Sequence, residues 1–396
     1  VALSFEAARE CVVRQAAAAH RETPRERIPL LEACGRVLAR DVAADRDYPP
    51  AARSIRDGFA VRAANTPGVL RVVGEVRAGE AALHTVEPGT AIEIMTGAPL
   101  PPGADAVVMV EHVAREQGFV RIDAAAQPGQ FVNPRGAEAA AGELLLRAGV
   151  RLDYTGIAML ATVGVMDVEV FARPRVAIVP TGDEIVDAGA APLDHQIRNS
   201  NAYSLAAQVT RAGGTPVMLP VARDEYEHTR ALVERGLEED LLLMSGGVSA
   251  GKYDIVERVL ADLGAEIYFD RVLIQPGQPL VFGSLRGKLF FGLPGNPAST
   301  IVTFEIFARA AVELLGGESR APLRTFSARL TSDFRHKPGL TRFLPASLSD
   351  DGAALTPVPW KGSSDVPALA RANAFLIADS GREQYRAGEA IGVLQK

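Results

Sequence analysis

Asp240–Asp254, DLLLMSGGVSAGKYD, carries the chain from strand to helix through a glycine turn. Leu241, Leu242, Leu243 and Met244 run without a polar break into Ser245, the pattern of a strand buried on both faces of a parallel sheet. Gly246 and Gly247 stop the run. Both permit positive φ and lack a Cβ, so backbone N–H groups can approach an anion closely, with Ser245 and Ser249 as further donors. Ile255, Val256, Val259, Leu260 and Leu263 then recur at helical spacing up to Gly264. Asp254 falls at the helix start, where a carboxylate either caps the helix or holds a divalent cation beside a bound phosphate.

Working outward, VAIVPTGDEI and TPVMLPVARD are read as strands, and NSNAYSLAAQVTRAG and YEHTRALVERGLEED as helices. Strands alternating with helical stretches of this length make a parallel α/β sheet. We place this domain at 173–319, closed by the helix TIVTFEIFARAAVELLGG near Gly317. RVLIQPGQPLVFG (271–283) and LFFGLPGNPAST (289–300) each read as an apolar strand ending on a Pro-Gly turn. Several glycine-bearing turns at one sheet edge make a ligand crevice there.

The right-handed crossover rule puts the ends of VPTGDEIV and VARDEYE at that same edge. Thr181, Gly182, Asp183, Glu184 and Asp224 therefore join the glycine turns. Glu184, Asp224 and Asp254 suit Mg²⁺ bridging to substrate phosphates, because that ion takes one or two carboxylates and leaves the rest to water and phosphate. The alternative is that they are solvated loop charges. No nucleophile is paired with a base, so the chemistry expected here is positioning and charge compensation.

Residues 4–20 read as a helix capped by Ser4, with Phe5, Ala8, Cys11, Val12 and Ala16 on one face, and LLEACGRVL as a second short helix. From about residue 60 to 140 the pattern is short strands and turns, a small all-β module. AGELLLRAGVRLDYTGIAMLATVGV, with a helix near Asp153, resembles the first 45 residues in helical content. The boundaries that follow are 1–45 with 141–172 for a helical and β domain, and 46–140 for a β domain inserted into it. FSARLTSDF, TRFLPASLSD, GAALTPVPW and EAIGVLQ make 320–396 a second β module.

At 396 residues the chain is long enough for about two to four domains. Its 47% hydrophobic and 23% charged content is that of a globular protein. Acidic residues outnumber basic ones, 48 to 42, and no long basic run exists, which argues against nucleic acid as a partner. Cys11 and Cys34 form no metal-type spacing, and the six histidines are scattered. No apolar run spans a membrane. Glu6 and Glu10 stand where a signal peptide would be basic and then apolar, so a cytoplasmic location is expected.

Two further groups stand out. Asp57 in RSIRDGFA and Thr96 in EIMTGAPLPPGADAVV read either as a turn aspartate and a strand-end hydroxyl or as site residues. Arg342, with Ser363 and Ser364 in WKGSSDV, suits an oxyanion or an exposed salt bridge.

RSIRDGFAVRAAN, IMTGAPLPPGADAVVMVE, TGDEIV, SGGVSAGKYD, PGQP and GLPGNPAS, in this order and spacing, resemble the molybdopterin molybdenumtransferases, bacterial relatives of the gephyrin E-domain. The resemblance covers almost the whole chain. It implies a multidomain α/β plus β fold: an elongated helical and β domain, an inserted β domain, a three-layer α/β domain and a C-terminal β-barrel. It implies Mg²⁺-dependent insertion of molybdate into adenylylated molybdopterin with release of AMP, by a homodimer. Asp57, Thr96, Glu184, Asp224 and Asp254 take the catalytic positions under this resemblance, and the last three the metal. Thr181, Gly182, Asp183, Ser245, Gly246, Gly247 and Ser249 would hold the pterin and AMP phosphates, with Pro294, Gly295, Asn296 and Pro297.

The molybdate pocket would fall on Gln275, Gln278, Ser299, Arg342 and Ser363. The family often has KPGK where this chain has Gln275 and Gln278, and AMDGYA where it has IRDGFA. Competing readings are a molybdopterin adenylyltransferase, usually a single domain, and a gephyrin-like scaffold without catalysis. A transient contact with the adenylyltransferase of the same pathway is a further expectation.

Overall fold

The computed structural model describes residues 2–19, 23–247 and 255–396. Ser249 and Asp254 lie outside the described residues. The chain folds into two compact units, one of Val1–Arg40, Ala148–Ile157 and Asp167–Lys396, the other of Asp41–Arg147 and Ala158–Met166.

In the first unit, six strands form a sheet in the order Thr215–Met218, Arg175–Pro180, Leu241–Ser245, Lys288–Leu293, Val281–Leu285, Glu266–Phe269. The first four are parallel to one another. The last two add antiparallel pairings at one edge. Leu241–Ser245 sits inside the sheet with all five residues buried.

Its side chains alternate between two cores, as a strand's must. Leu241 and Leu243 meet Leu205 and Val209 of the helix Ser200–Arg211 on one face. Leu242 and Met244 meet Val233 of the helix Tyr226–Gly236 and Val259 of the helix Ile255–Asp262 on the other. The result is the expected three-layer α/β domain. A strand covered on both faces takes apolar side chains up to its last residue, Ser245, whose hydroxyl accepts a hydrogen bond from Asn201 at the strand end, and burial of each leucine stabilises by about 1.5–3 kcal/mol.

The C-terminal β module closes on itself. Thr341–Leu348, Ala354–Pro357, Thr325–Leu330, Ala390–Gln395 and Ala374–Ala378 pair in that order, and the last returns to the first. This is the five-stranded barrel. The helix Val366–Arg371 inside this segment was not expected; Asp365 caps it, its carboxylate accepting the Ala368 N–H at 3.0 Å.

Two local expectations fail. LLEACGRVL makes only the single 3₁₀ turn Leu30–Glu32, after which Val37 and Leu38 form isolated bridges to Arg151 and Val170. Gly35, at φ +77°, breaks the helix that the apolar spacing suggests. The PGQP turn does not end a strand of the α/β sheet. Ile274–Gln275 pairs in parallel with Thr341–Arg342 of the barrel, and the α/β strand Val281–Leu285 begins only after the turn. Val272 and Ile274 are buried in the core of the first face, so their apolarity does not reveal which sheet takes their backbone.

The second unit is built on an all-β sheet, in the order Ala106–Met109, Gly58–Val61, Thr90–Ile94, Gly68–Val76, Phe119–Ile122, Val113–Glu116. A Cβ at Gly58 would run into the Val108 carbonyl, so the close approach of these strands requires glycine there.

Candidate active site: a cleft at the glycine turns

The strand Leu241–Ser245 delivers Gly246 and Gly247 at φ +96° and +62°. A Cβ on Gly246 would lie 2.7 Å from the Thr181 carbonyl, and one on Gly247 would lie 2.8 Å from Thr181 Oγ1. Only glycine fits either position. A Cβ on Gly295 would lie 3.5 Å from Gly246 Cα, so the turns that end the two neighbouring strands abut. Asn201, in the first turn of Ser200–Arg211, joins them, donating from Nδ2 to Ser245 Oγ at 2.9 Å and to the Gly295 carbonyl at 2.8 Å. Thr300 Oγ1 pins the Pro294 carbonyl at 2.5 Å.

These turns floor a cleft of about 810 Å³. Thr181, Gly182, Glu184, Asp224, Ser245, Gly246 and Gly247 line it from the sheet edge. Pro294, Gly295, Asn296 and Ser299 continue the wall, and Gln275, Gln278, Trp360 and Ser363 face it from the barrel side. Most of the residues singled out in the sequence thus come together.

Three described candidates of the first unit stand back from the wall. The Asp183 carboxylate accepts the Asp224 N–H at 3.1 Å and shapes the turn instead. Pro297 opens the helix Pro297–Thr303. Arg342 lies directly opposite Gln275 in the parallel pairing, half-buried, with Nη2 3.4 Å from the Lys337 carbonyl and a buried Nε that finds no partner among the described residues. Burial lowers the pKa of its guanidinium.

Asn201, Trp360 and the apolar wall of Ile185, Ile197, Ile274 and Leu340 escaped the reading of the sequence. A signal existed for Asn201: the helix that follows a strand ending at the crevice starts beside that crevice.

The charge balance of the cleft is one-sided. Among the described residues that line it, Glu184 and Asp224 are the only charged side chains. They sit on adjacent strand ends, linked by the Thr181–Ala222 bridge and by the Gly182 N–H donating to the Ala222 carbonyl at 3.0 Å. Burial, and then the negative charge of Asp183 and Glu184, push the Asp224 carboxyl above its usual range. Among the described residues no group of three His, Cys, Asp or Glu side chains converges as a metal site.

In the second unit Asp57 and Thr96 meet. Gly58 pairs with Ile94 in antiparallel register, which brings the residue before one strand beside the turn after the other. Asp57 Oδ1 accepts the Thr96 N–H at 2.6 Å and the Thr96 hydroxyl at 2.8 Å.

Three family models match the chain: the MoeA N-terminal region (domain I and II) over residues 3–164, a probable molybdopterin binding domain over 177–313, and the MoeA C-terminal region (domain IV) over 327–396. A molybdopterin molybdenumtransferase of Bacillus subtilis is 35% identical over 383 residues, covering 93% of this chain and 89% of the relative. The chain belongs to the molybdopterin molybdenumtransferase family. A molybdopterin molybdenumtransferase of a Nostoc species is 38% identical over 325 residues, covering 79% of this chain and 74% of the relative. Two solved structures, both of a molybdopterin biosynthesis MoeA protein from Pyrococcus horikoshii, share this fold. One has a TM-score of 0.82 at 28% identity, covering all of both chains. The other has a TM-score of 0.78 at 33% identity, covering all of this chain and 99% of its own.

Proposed function

We propose that the chain inserts molybdate into adenylylated molybdopterin and releases AMP, the last step of molybdenum cofactor synthesis. The observation that carries this reading is the cleft itself. Two glycine turns present backbone and hydroxyl donors suited to phosphate, while the only charged wall residues described are carboxylates. A polyanion enters such a cleft only with cationic help. Glu184 and Asp224, with the Asp224 carboxyl raised by burial and then by its acidic neighbours, fit a hard divalent ion, and Asp254 is the third candidate ligand. Mg²⁺ bound there would offset the charge of the substrate phosphates.

The chain's own groups do the positioning. Ser245 accepts from Asn201, which leaves its O–H free to donate toward a phosphate oxygen. Thr181, Gly182, Asp183 and the Pro294–Pro297 turn complete the frame for the pterin and AMP moieties. Gln275, Gln278, Ser299 and Ser363 donate to molybdate, with Arg342 as the nearby charge. Asp57 and Thr96 join the reaction on the strength of the resemblance, in a homodimer. The setting is cytoplasmic, with transient contact to the pathway's adenylyltransferase. Equal mixing of Asp57→Ala and Glu184→Ala chains restores part of the activity if the site is shared between copies, and none if it is not.

The deciding experiment supplies adenylylated molybdopterin, Mg²⁺ and molybdate, and follows the nucleotide. AMP release that depends on molybdate supports the proposal. ATP-dependent adenylylation of molybdopterin would mark the adenylyltransferase instead, and neither reaction would leave a scaffold.

A further inference from the structure

The barrel side of the cleft carries one feature that the proposed reaction has not used. Trp360 is the only tryptophan of the chain, and among the described wall residues it is the only aromatic side chain. It is half-buried, backed by the core on the first face of the α/β sheet. The loop that carries it is held on its C-terminal side: the Lys361 N–H donates to Asp365 Oδ2 at 2.8 Å, and the Ser363 carbonyl accepts the Ala298 N–H at 2.9 Å. An indole that lines the cleft from a loop held in this way can meet a ligand's ring with little ordering of the loop on binding.

Position along the sheet edge decides which end of a ligand it meets. Glu184 and Asp224 follow the first two strands of the sheet order, whereas the Trp360 loop is tied to Ala298, just beyond the fourth. Two to three strand spacings separate these places, roughly 10–14 Å. An elongated ligand with its phosphates beside the carboxylates therefore brings a different part of itself to Trp360.

We propose that Trp360 is a stacking platform for the pterin ring system of the substrate. This rests on the proposed function, which places molybdate beside Ser363 and Gln278 and hence the sulfur-bearing, pterin end of the substrate next to Trp360. Adenine, on the far side of the phosphates, does not reach it. Stacking on an indole tolerates small changes in the ring and contributes affinity without donating a hydrogen bond.

Calorimetric titration with two probes, neopterin monophosphate and AMP, tests the inference on the full chain with Mg²⁺. Trp360→Phe keeps an aromatic face, and Trp360→Leu keeps apolar bulk against the core without one. The expected result is neopterin monophosphate binding weakened about tenfold by Trp360→Leu and largely retained by Trp360→Phe, with AMP binding unchanged in both. Equal binding of the pterin probe by the parent and the Leu variant overturns the inference while leaving the proposed function standing. Loss of AMP binding alone overturns it too, by assigning the other ring. A parent that binds neither probe removes the substrate reading, and this inference with it.

Discussion

Asn201 donates its side-chain amide to the Ser245 hydroxyl at 2.9 Å and, from the same nitrogen, to the Gly295 carbonyl. A carbonyl only accepts, so the amide nitrogen must face Gly295, and the orientation of the side chain follows. Removing it by Asn201→Ala leaves that carbonyl short of a donor and should cost about 1–2 kcal/mol in denaturant unfolding. Asn201→Asp should cost more, because a carboxylate oxygen then faces the carbonyl. An Asp variant as stable as the parent would show that the two turns do not depend on this bridge.

The Asp57 and Thr96 pair gives a pH signature. The Thr96 N–H, and then its hydroxyl, hold the Asp57 carboxyl below the usual range. A carboxyl whose pKa is lower folded than unfolded stabilises the fold above its unfolded value, and that contribution disappears as pH falls through the folded one. Thr96→Val keeps the backbone donor and loses the hydroxyl. The Asp57 carboxyl, followed by carbon NMR, should then titrate at higher pH than in the parent, and an unchanged titration would contradict the assignment.

Asp224 carries the opposite sign. Its carboxyl is raised by burial and by its acidic neighbours, so the folded state holds the proton more tightly than the unfolded one. Ionised Asp224 therefore works against the fold as pH rises through its folded value, until a cation offsets the charge. Without divalent ions, Asp224→Asn should melt slightly higher than the parent at neutral pH. Added Mg²⁺ should raise the parent's melting temperature more than the variant's, and less at acid pH, where protons compete. Equal Mg²⁺ shifts in both proteins would remove Asp224 from the cation site.

Gln275 stands opposite Arg342, and both Gln275 and Gln278 line the cleft. Neutral amides still donate hydrogen bonds, so molybdate binding should persist with weak salt dependence. Gln275→Lys with Gln278→Lys should lower the molybdate needed for half-maximal AMP release, about tenfold for each 1.4 kcal/mol gained. A double variant that needs as much molybdate as the parent would show that the oxyanion does not touch this turn.

The central strand was legible because burial on both faces leaves a run of Leu241, Leu242, Leu243 and Met244 that no half-exposed strand would carry. The strand-end carboxylates followed from the crossover rule, since parallel strands all finish at one edge. The PGQP turn was misplaced because its two-residue strand, Ile274–Gln275, buries Ile274 in the α/β core while bonding to the barrel. A side chain's burial and a backbone's partner are separate facts, and composition reports only the first. Trp360 was missed for a related reason: a lone aromatic between turns has no periodicity, and its place in the cleft depends on tertiary ties such as the Ser363 carbonyl to Ala298.

The rate of AMP release by Glu184→Gln, set against the parent over a range of Mg²⁺ concentrations, tests the account at its centre. That substitution removes one of the two charged side chains described in the cleft wall and changes little volume. The parent should require Mg²⁺, and the variant should be slower by about a hundredfold or more while its unfolding transition stays in place. A variant that releases AMP at the parent's rate, with the same Mg²⁺ dependence, would contradict the assignment of this cleft as the place where the substrate's phosphates are held and cleaved.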